Sequence, residues 1–284
     1  LEGILLSAFL AAIASAGNDT SLKYLLGKLK LPLKYYLPYV FVLLTIISAF
    51  FLRFDASIKP GAFSAQYIIL FVLMVSAAAI WNVLVAESLQ TEPLCEYELI
   101  ILTAPLITIV LAAIFLPAER NIHIFFAGIV ASLALVATKI RRHHLQLTKS
   151  AKRTLWAVLF IAIETILLRK LLVVYSPMIL YFARVLVVAI IFLFIYKPNT
   201  NVLKYRDAMR WLVIASLLGA TMMVLKYYAL RTIGVSETTI ILLLGPVLTY
   251  LPSYFYFHER RGYKRDLIGA LVIVGCIVYS VTVK

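Results

Sequence analysis

Apolar residues run through this chain in long blocks, each closed by charge, proline or glycine. The blocks lie at 3–26, 35–52, 65–87, 95–116 and 122–139, then at 154–174, 177–196, 209–230, 236–257 and 266–283. A helix needs about 20 apolar residues to cross a bilayer, and most of these blocks approach that length. They are continuously apolar with no two-residue alternation, so they predict helices rather than barrel strands. Connections are short except for KIRRHHLQLTKSAKR at 139–153. The fold class expected is all-α integral membrane, with ten transmembrane helices.

The second half repeats the pattern of the first. CEYELIILTAP at 95–105 matches SETTIILLLGP at 236–246, and Glu96/Glu237, Pro105/Pro246 and Gly128/Gly269 are each 141 positions apart. Glu119-Arg120 and Glu259-Arg260 follow at a spacing of 140, after one slipped residue. Tandem five-helix units must cross the membrane in opposite senses because five is odd. Two inverted five-helix repeats are therefore expected, an organisation used by many transporters. Residues 1–140 form the first, 141–153 a basic connecting loop, and 154–284 the second.

Composition removes the soluble alternatives. The 284 residues are 63% hydrophobic and 14% charged, with a mean hydropathy of +0.99, whereas soluble domains carry about 25% charged residues. A net charge of +14 raises the question of nucleic acid. The basic residues, however, cluster between apolar blocks, as Lys139, Arg141, Arg142, Lys149, Lys152 and Arg153 do. That is the pattern of loops facing the cytoplasm and anionic lipid. Lipid and a small-molecule substrate are the expected partners, and nucleic acid is not. One side of the ten-span arrangement collects 18 Lys and Arg against 7 on the other. The positive-inside rule therefore puts the central loop in the cytoplasm of a cell membrane and both termini outside. The first apolar block lacks the basic flank and small-residue site of a cleavable signal. Cys95 and Cys276 read as packing residues. His123, His143, His144 and His258 have no second ligand at metal spacing, so no metal and no cofactor is expected. A monomer suffices, and a dimer is compatible.

APLITIVLAAIFLPAER…FFAGIVASLALVA and GPVLTYLPSYFYFHERR…LIGALVIVGCIVYS, taken together, resemble the drug/metabolite transporter superfamily in its ten-helix EamA-type branch. SPMILYFARVLVVAIIFLF, with Arg184, looks like the seventh helix of that family, and YYALRTIGVSETTIILLLGP like its eighth and ninth. The chain departs from the family in two respects. Tyr39 occupies the place of Arg184 in the first half, and the termini, usually cytoplasmic in the family, are placed outside by the charge count. AIETILLRK at 162–170 is similar to the first helix of small multidrug resistance proteins, a likeness that implies a membrane Glu binding proton or cationic drug at Glu164.

An ionisable group in hydrocarbon costs at least about 2.5–3.5 kcal/mol and is normally paired, wet or functional. Glu164, near the middle of its span, is either a proton carrier or a carboxylate neutralised by Arg184 to hold helices together. Arg184 either clamps a substrate carboxylate or phosphate with its planar fork, or is the fixed partner of Glu164. Lys226, Tyr227 and Tyr228 in the eighth span and Trp81 and Asn82 in the third offer the charge, ring faces and oriented hydrogen bonds of a cavity. The alternative for the aromatics is an interfacial belt. Asp19, within GNDTS, is a candidate cavity residue. Glu237, with Glu96 and Glu98, suits the dipole at a helix N-terminus as well as a site. Glu119 and Glu259 are expected to anchor helix ends or gates. Pro105 and Pro246 break helices at equivalent places, which fits gating or plain kinking.

These readings converge on a secondary active transporter, not an enzyme. It would export or exchange a small polar metabolite (amino acid, organic acid or drug-like compound) by alternating access coupled to protons. A sugar-phosphate or nucleotide-sugar exchanger, and a non-transporting receptor or scaffold on the same fold, are the alternatives.

Overall fold

The computed structural model describes residues 2–91, 101, 103–139, 149–198, 206–248 and 263–282. Its regular elements are helices. Helix α1 spans Glu2–Leu22 and widens into a π-type turn at Lys23–Lys28; α2 is Leu33–Phe51, α3 Ala65–Thr91 and α4 Ala104–Phe115. A 3-10 turn at Pro117–Glu119 leads to α5, Ile122–Lys139. In the second half α6 is Lys149–Leu171, α7 Pro177–Tyr196, α8 Arg206–Thr232, α9 Val235–Leu242, α10 Leu244–Leu248 and α11 Tyr263–Thr282. Cys95, Glu96, Glu98, His143, His144, Pro252, His258, Glu259 and the middle of the basic loop lie outside the described residues.

Among the described residues, four stretches are long and apolar enough to cross a membrane: Leu33–Phe51, Ala65–Ser88, Pro177–Tyr196 and Asp207–Thr232. Shorter apolar helical stretches occur at Ala104–Phe115, Ile122–Ala134 and Leu271–Ser280. Large apolar side chains such as Phe50, Ile69, Phe194 and Leu271 point outward, an arrangement stable only against lipid. The chain is thus a multi-pass helical membrane protein.

Local chemistry sets the helix ends. Pro32, in extended conformation, precedes α2, and Pro177 opens α7 where its missing N–H costs nothing. Lys197 closes α7 in the left-handed region at φ 41°. The helix expected at 154–174 starts earlier, at Lys149, and so takes in the end of the basic loop. The single helix expected at 236–257 is instead interrupted at Leu243, between α9 and α10. Pro246, in the following turn, has no N–H to offer the carbonyl of Leu242. Pro105 likewise sits in the first turn of α4, directly after a turn at Thr103.

Lipid supplies no hydrophobic drive between helices, so close association depends on small residues. The most extensive pairings are α1 with α8 and α3 with α6, followed by α5 with α11 and α2 with α7. Ala8, Ala11, Ala12 and Ala16 of α1 and Ala215, Ser216 and Ala220 of α8 are buried. A Cβ at Gly17 would come within 3.0 Å of Leu218, and one at Gly219 within 3.1 Å of Asn18. Ala77, Ala78 and Ser88 of α3, with Ala157 and Ala162 of α6, do the same for the second pair. Replacing Gly219 by Leu is therefore expected to cost about 1–3 kcal/mol through overpacking. Gly275→Ala, which meets nothing within 4 Å, should be neutral or stabilising. Thermal unfolding of the two variants in detergent checks both.

Candidate functional site

The site is assembled on a helical hairpin. Helices α6 and α7 are joined only by residues 172–176. Glu164 lies seven residues before the end of α6 and Arg184 seven residues into α7. At about 1.5 Å per residue both sit roughly 10 Å below the same turn. Burial makes the meeting consequential, because Glu164 is 6% and Arg184 2% exposed. The Arg184 Nε–H donates to Glu164 Oε1. The other oxygen, Oε2, accepts the Trp81 indole N–H from α3 at 2.5 Å. Three helices are thereby tied to one carboxylate, and both of its oxygens are engaged.

Tyr181 precedes Arg184 by three residues on α7 and so shares its face. Its ring meets that of Tyr227 from α8 edge to face, centroids 5.6 Å apart. Both tyrosines are 1% exposed. The hydroxyls of Tyr181 and Tyr227 and the Arg184 Nη2 group are buried without a hydrogen-bond partner. Lys226, half-buried beside Tyr227, feels the charges of Glu164 and Arg184. Buried polar atoms are nearly always satisfied, so three unmet groups around one ion pair mark this place as unusual. Breaking such a pair from one side typically costs about 3–5 kcal/mol, because a buried charge is left uncompensated.

A second polar cluster closes the nearer helix ends. Asp55, in the connection between α2 and α3, accepts a hydrogen bond from Tyr228 Oη at 3.0 Å and pairs with Arg231 at 3.9 Å. Arg169 donates to the Arg231 carbonyl at 2.8 Å and pairs with Glu119 at 3.9 Å. The Glu119 carboxylate also accepts the backbone N–H groups of Val235 at 2.9 Å and Ser236 at 3.1 Å. It caps α9 from another helix, where the dipole favours an anion. Gly234 makes this approach possible: its φ is 95°, and a Cβ there would collide with Glu119. Tyr175 donates to the Ala62 carbonyl at 2.6 Å, and burial raises its phenol above the ordinary value, so it stays a donor. Ile58 and Tyr175 form a short antiparallel bridge, extended by Lys59 N–H to Val174 O at 2.9 Å and Ser176 N–H to Ser57 O at 3.0 Å. Each of these tertiary contacts, apart from Arg169 to the Arg231 carbonyl, joins a residue before 140 to one after 153.

The residues singled out from sequence divide among these places. Glu164, Arg184, Lys226, Tyr227 and Trp81 gather in the buried cluster. Tyr228, one residue on and about 100° around α8, belongs to the closed end instead. Asn82 donates to the Ala78 carbonyl of its own helix at 2.8 Å. Asp19 stands on the exposed face of α1, where the Ser15 hydroxyl donates to it at 3.3 Å. Glu237 is buried in the first turn of α9. Glu119 anchors a helix end, but through Arg169 and α9; its neighbour Arg120 turns back to the carbonyls of Ala113 and Ile114 at 3.0 and 3.1 Å. Sequence reasoning missed Tyr181, Asp55, Arg169 and Arg231. Of these only Tyr181 carried a legible signal, its spacing of three from Arg184.

Comparison with known proteins matches residues 153–281 to the model of the EamA-like transporter family. No curated protein matches the chain. A solved crystal structure of a protein aligns over 99% of this chain and 98% of its own, with a TM-score of 0.75 at 14% identity. At that identity the likeness speaks for the fold, and it extends across both halves. The sequence likeness to the EamA-like transporter family, part of the drug/metabolite transporter superfamily, thus lies in residues 153–281 of the second half.

Proposed function

We propose that this protein is a secondary active transporter that moves a small polar metabolite by alternating access. The observation that carries the reading is the buried cluster of Glu164, Arg184, Trp81, Tyr181 and Tyr227. It lies where α3 of the first half meets α6, α7 and α8 of the second, with three polar atoms unmet. A structural ion pair needs no such surplus, whereas a substrate site does.

The frame is two inverted five-helix repeats. In this reading α1 corresponds to α6, α2 to α7, α3 to α8, α4 to α9 with α10, and α5 to α11. Exchanging the halves turns the α1–α8 pairing into α6–α3 and leaves α2–α7 and α5–α11 unchanged. Those are the four most extensive helix contacts. The turn at Thr103 and the break at Leu243 each lie just before the matched prolines, Pro105 and Pro246, and would give each repeat a flexible joint for rocking.

The Asp55–Arg231 and Glu119–Arg169 pairs form a gate, closed in this structure, and the charge count makes that side extracellular and the basic loop cytoplasmic. Glu164 couples transport to protons. Protonation removes the fixed counter-ion of Arg184, so the guanidinium becomes free to hold substrate. The groups facing Glu164 are Trp81 on α3, Arg184 on α7 and Lys226 and Tyr227 on α8.

Flux in proteoliposomes is the direct test, and a protein that moves no metabolite across a broad panel would be a receptor or scaffold instead. Glu164→Gln is expected to flatten the pH dependence of transport; an unchanged profile removes Glu164 as the proton carrier. For the gate, Cys95 and Cys276 are first replaced by Ser. Asp55→Cys and Arg231→Cys are then bridged with a short reducible bifunctional thiol reagent. Flux should stop on bridging and return on reduction, and undiminished flux in the bridged protein refutes the gate.

A further inference from the structure

The polar atoms left unmet in the buried cluster are not a balanced set, and the imbalance says what kind of ligand fits. Resting on the transport reading of this same site, we propose that the substrate presents an anionic group, a carboxylate or a phosphate monoester, to Arg184, Tyr181, Tyr227 and Lys226. The acceptor side of the cluster is already used. Glu164 Oε1 is taken by Arg184 Nε, and Oε2 by the Trp81 indole. A cationic or ammonium-bearing ligand would have to displace one of these donors from a residue that is 6% exposed.

The donor side is open. Arg184 Nη2 can only donate, is buried, and has no partner. The Tyr181 and Tyr227 hydroxyls, also buried and unpartnered, stand on rings 5.6 Å apart. Formal charge points the same way. Arg184 and Lys226 together outweigh Glu164 by one positive charge, and protonation of Glu164 widens the excess. An excess of this sign beside a buried ion pair is relieved by an anion, and a guanidinium edge presents paired donors to the two oxygens of a carboxylate or phosphate. Phenol hydroxyls flanking that edge would complete the oxygens' remaining acceptor sites.

Binding is the readout that separates this proposal from transport itself. The full chain in lipid nanodiscs is titrated with benzoate and succinate for carboxylates, glycerol 3-phosphate for phosphate monoesters, and tetraphenylphosphonium as the cation, at constant ionic strength. Thermal stabilisation and calorimetry follow each titration. One anion class is expected to raise the unfolding temperature, and the arm that does so distinguishes carboxylate from phosphate. Tyr181→Phe and Tyr227→Phe remove only an unpaired hydroxyl, so each variant should fold with unchanged or improved stability. Each should nevertheless weaken anion binding about tenfold, the loss of one hydrogen bond to a charged group. Anion binding that is equal in wild type and both variants overturns the assignment, because the hydroxyls would then meet only water. Stabilisation by the cation alone, or by none of the probes, overturns it as well. Flux of a cation without anion binding leaves transport standing and removes this proposal. Anion binding without flux in proteoliposomes does the reverse.

Discussion

A carboxylate cannot be left alone in hydrocarbon, and the way Glu164 is satisfied organises the centre of this molecule. Arg184 on the next helix and Trp81 from the other half of the chain each give it one hydrogen bond. That fixes α6 against α7 and against α3 at a common depth. The cost of burying both charges is high, and their attraction recovers it only where geometry is good and remaining polar atoms are satisfied. Here they are not all satisfied. The same pair that holds three helices together therefore leaves one Arg184 donor unmet, and the Tyr181 and Tyr227 hydroxyls of the same cluster are unmet as well.

The closed end obeys different physics. Asp55, Arg231, Arg169 and Glu119 are partly exposed, so each ion pair adds little by itself. Their strength lies in number and in reaching across the halves, reinforced by the bridge at Ile58 and Tyr175 and by the capping of α9. In the gate proposed above, many weak contacts that form and break together would suit a seal that opens, and the single buried pair would suit the fixed point around which it opens. Small residues complete the arrangement, since Gly17 and Gly219 let α1 and α8 lie close without interlocking large side chains.

Legibility from sequence varied with the range of the interaction. The helices were readable because backbone groups in lipid must bond within their own segment, so apolar length and proline position nearly define the elements. Even there the break at Leu243 was placed only loosely by Pro246. Glu164 and Arg184 were readable as candidates because charge within an apolar block is conspicuous in any chain. Tyr227 and Tyr228 could not be told apart, since both are aromatic and adjacent; a rotation of about 100° sends one to the ion pair and the other to Asp55. Asp55 and Arg231 gave no warning, because charges at the ends of apolar blocks are ordinary until folding brings the α2–α3 connection against the end of α8.

By itself the sequence determined that this is a helical membrane protein, roughly which stretches form its helices, and which charges fall within apolar blocks. Those properties follow from local composition and from the cost of exposing polar groups to lipid. Only the tertiary structure decided which of those charges meet, which hydroxyls stay unmet, and which helix ends are sealed. Partners such as Trp81 and Glu164, 83 residues apart, or Tyr228 and Asp55, 173 apart, are chosen by the packing of whole helices. No periodicity within a segment records that choice.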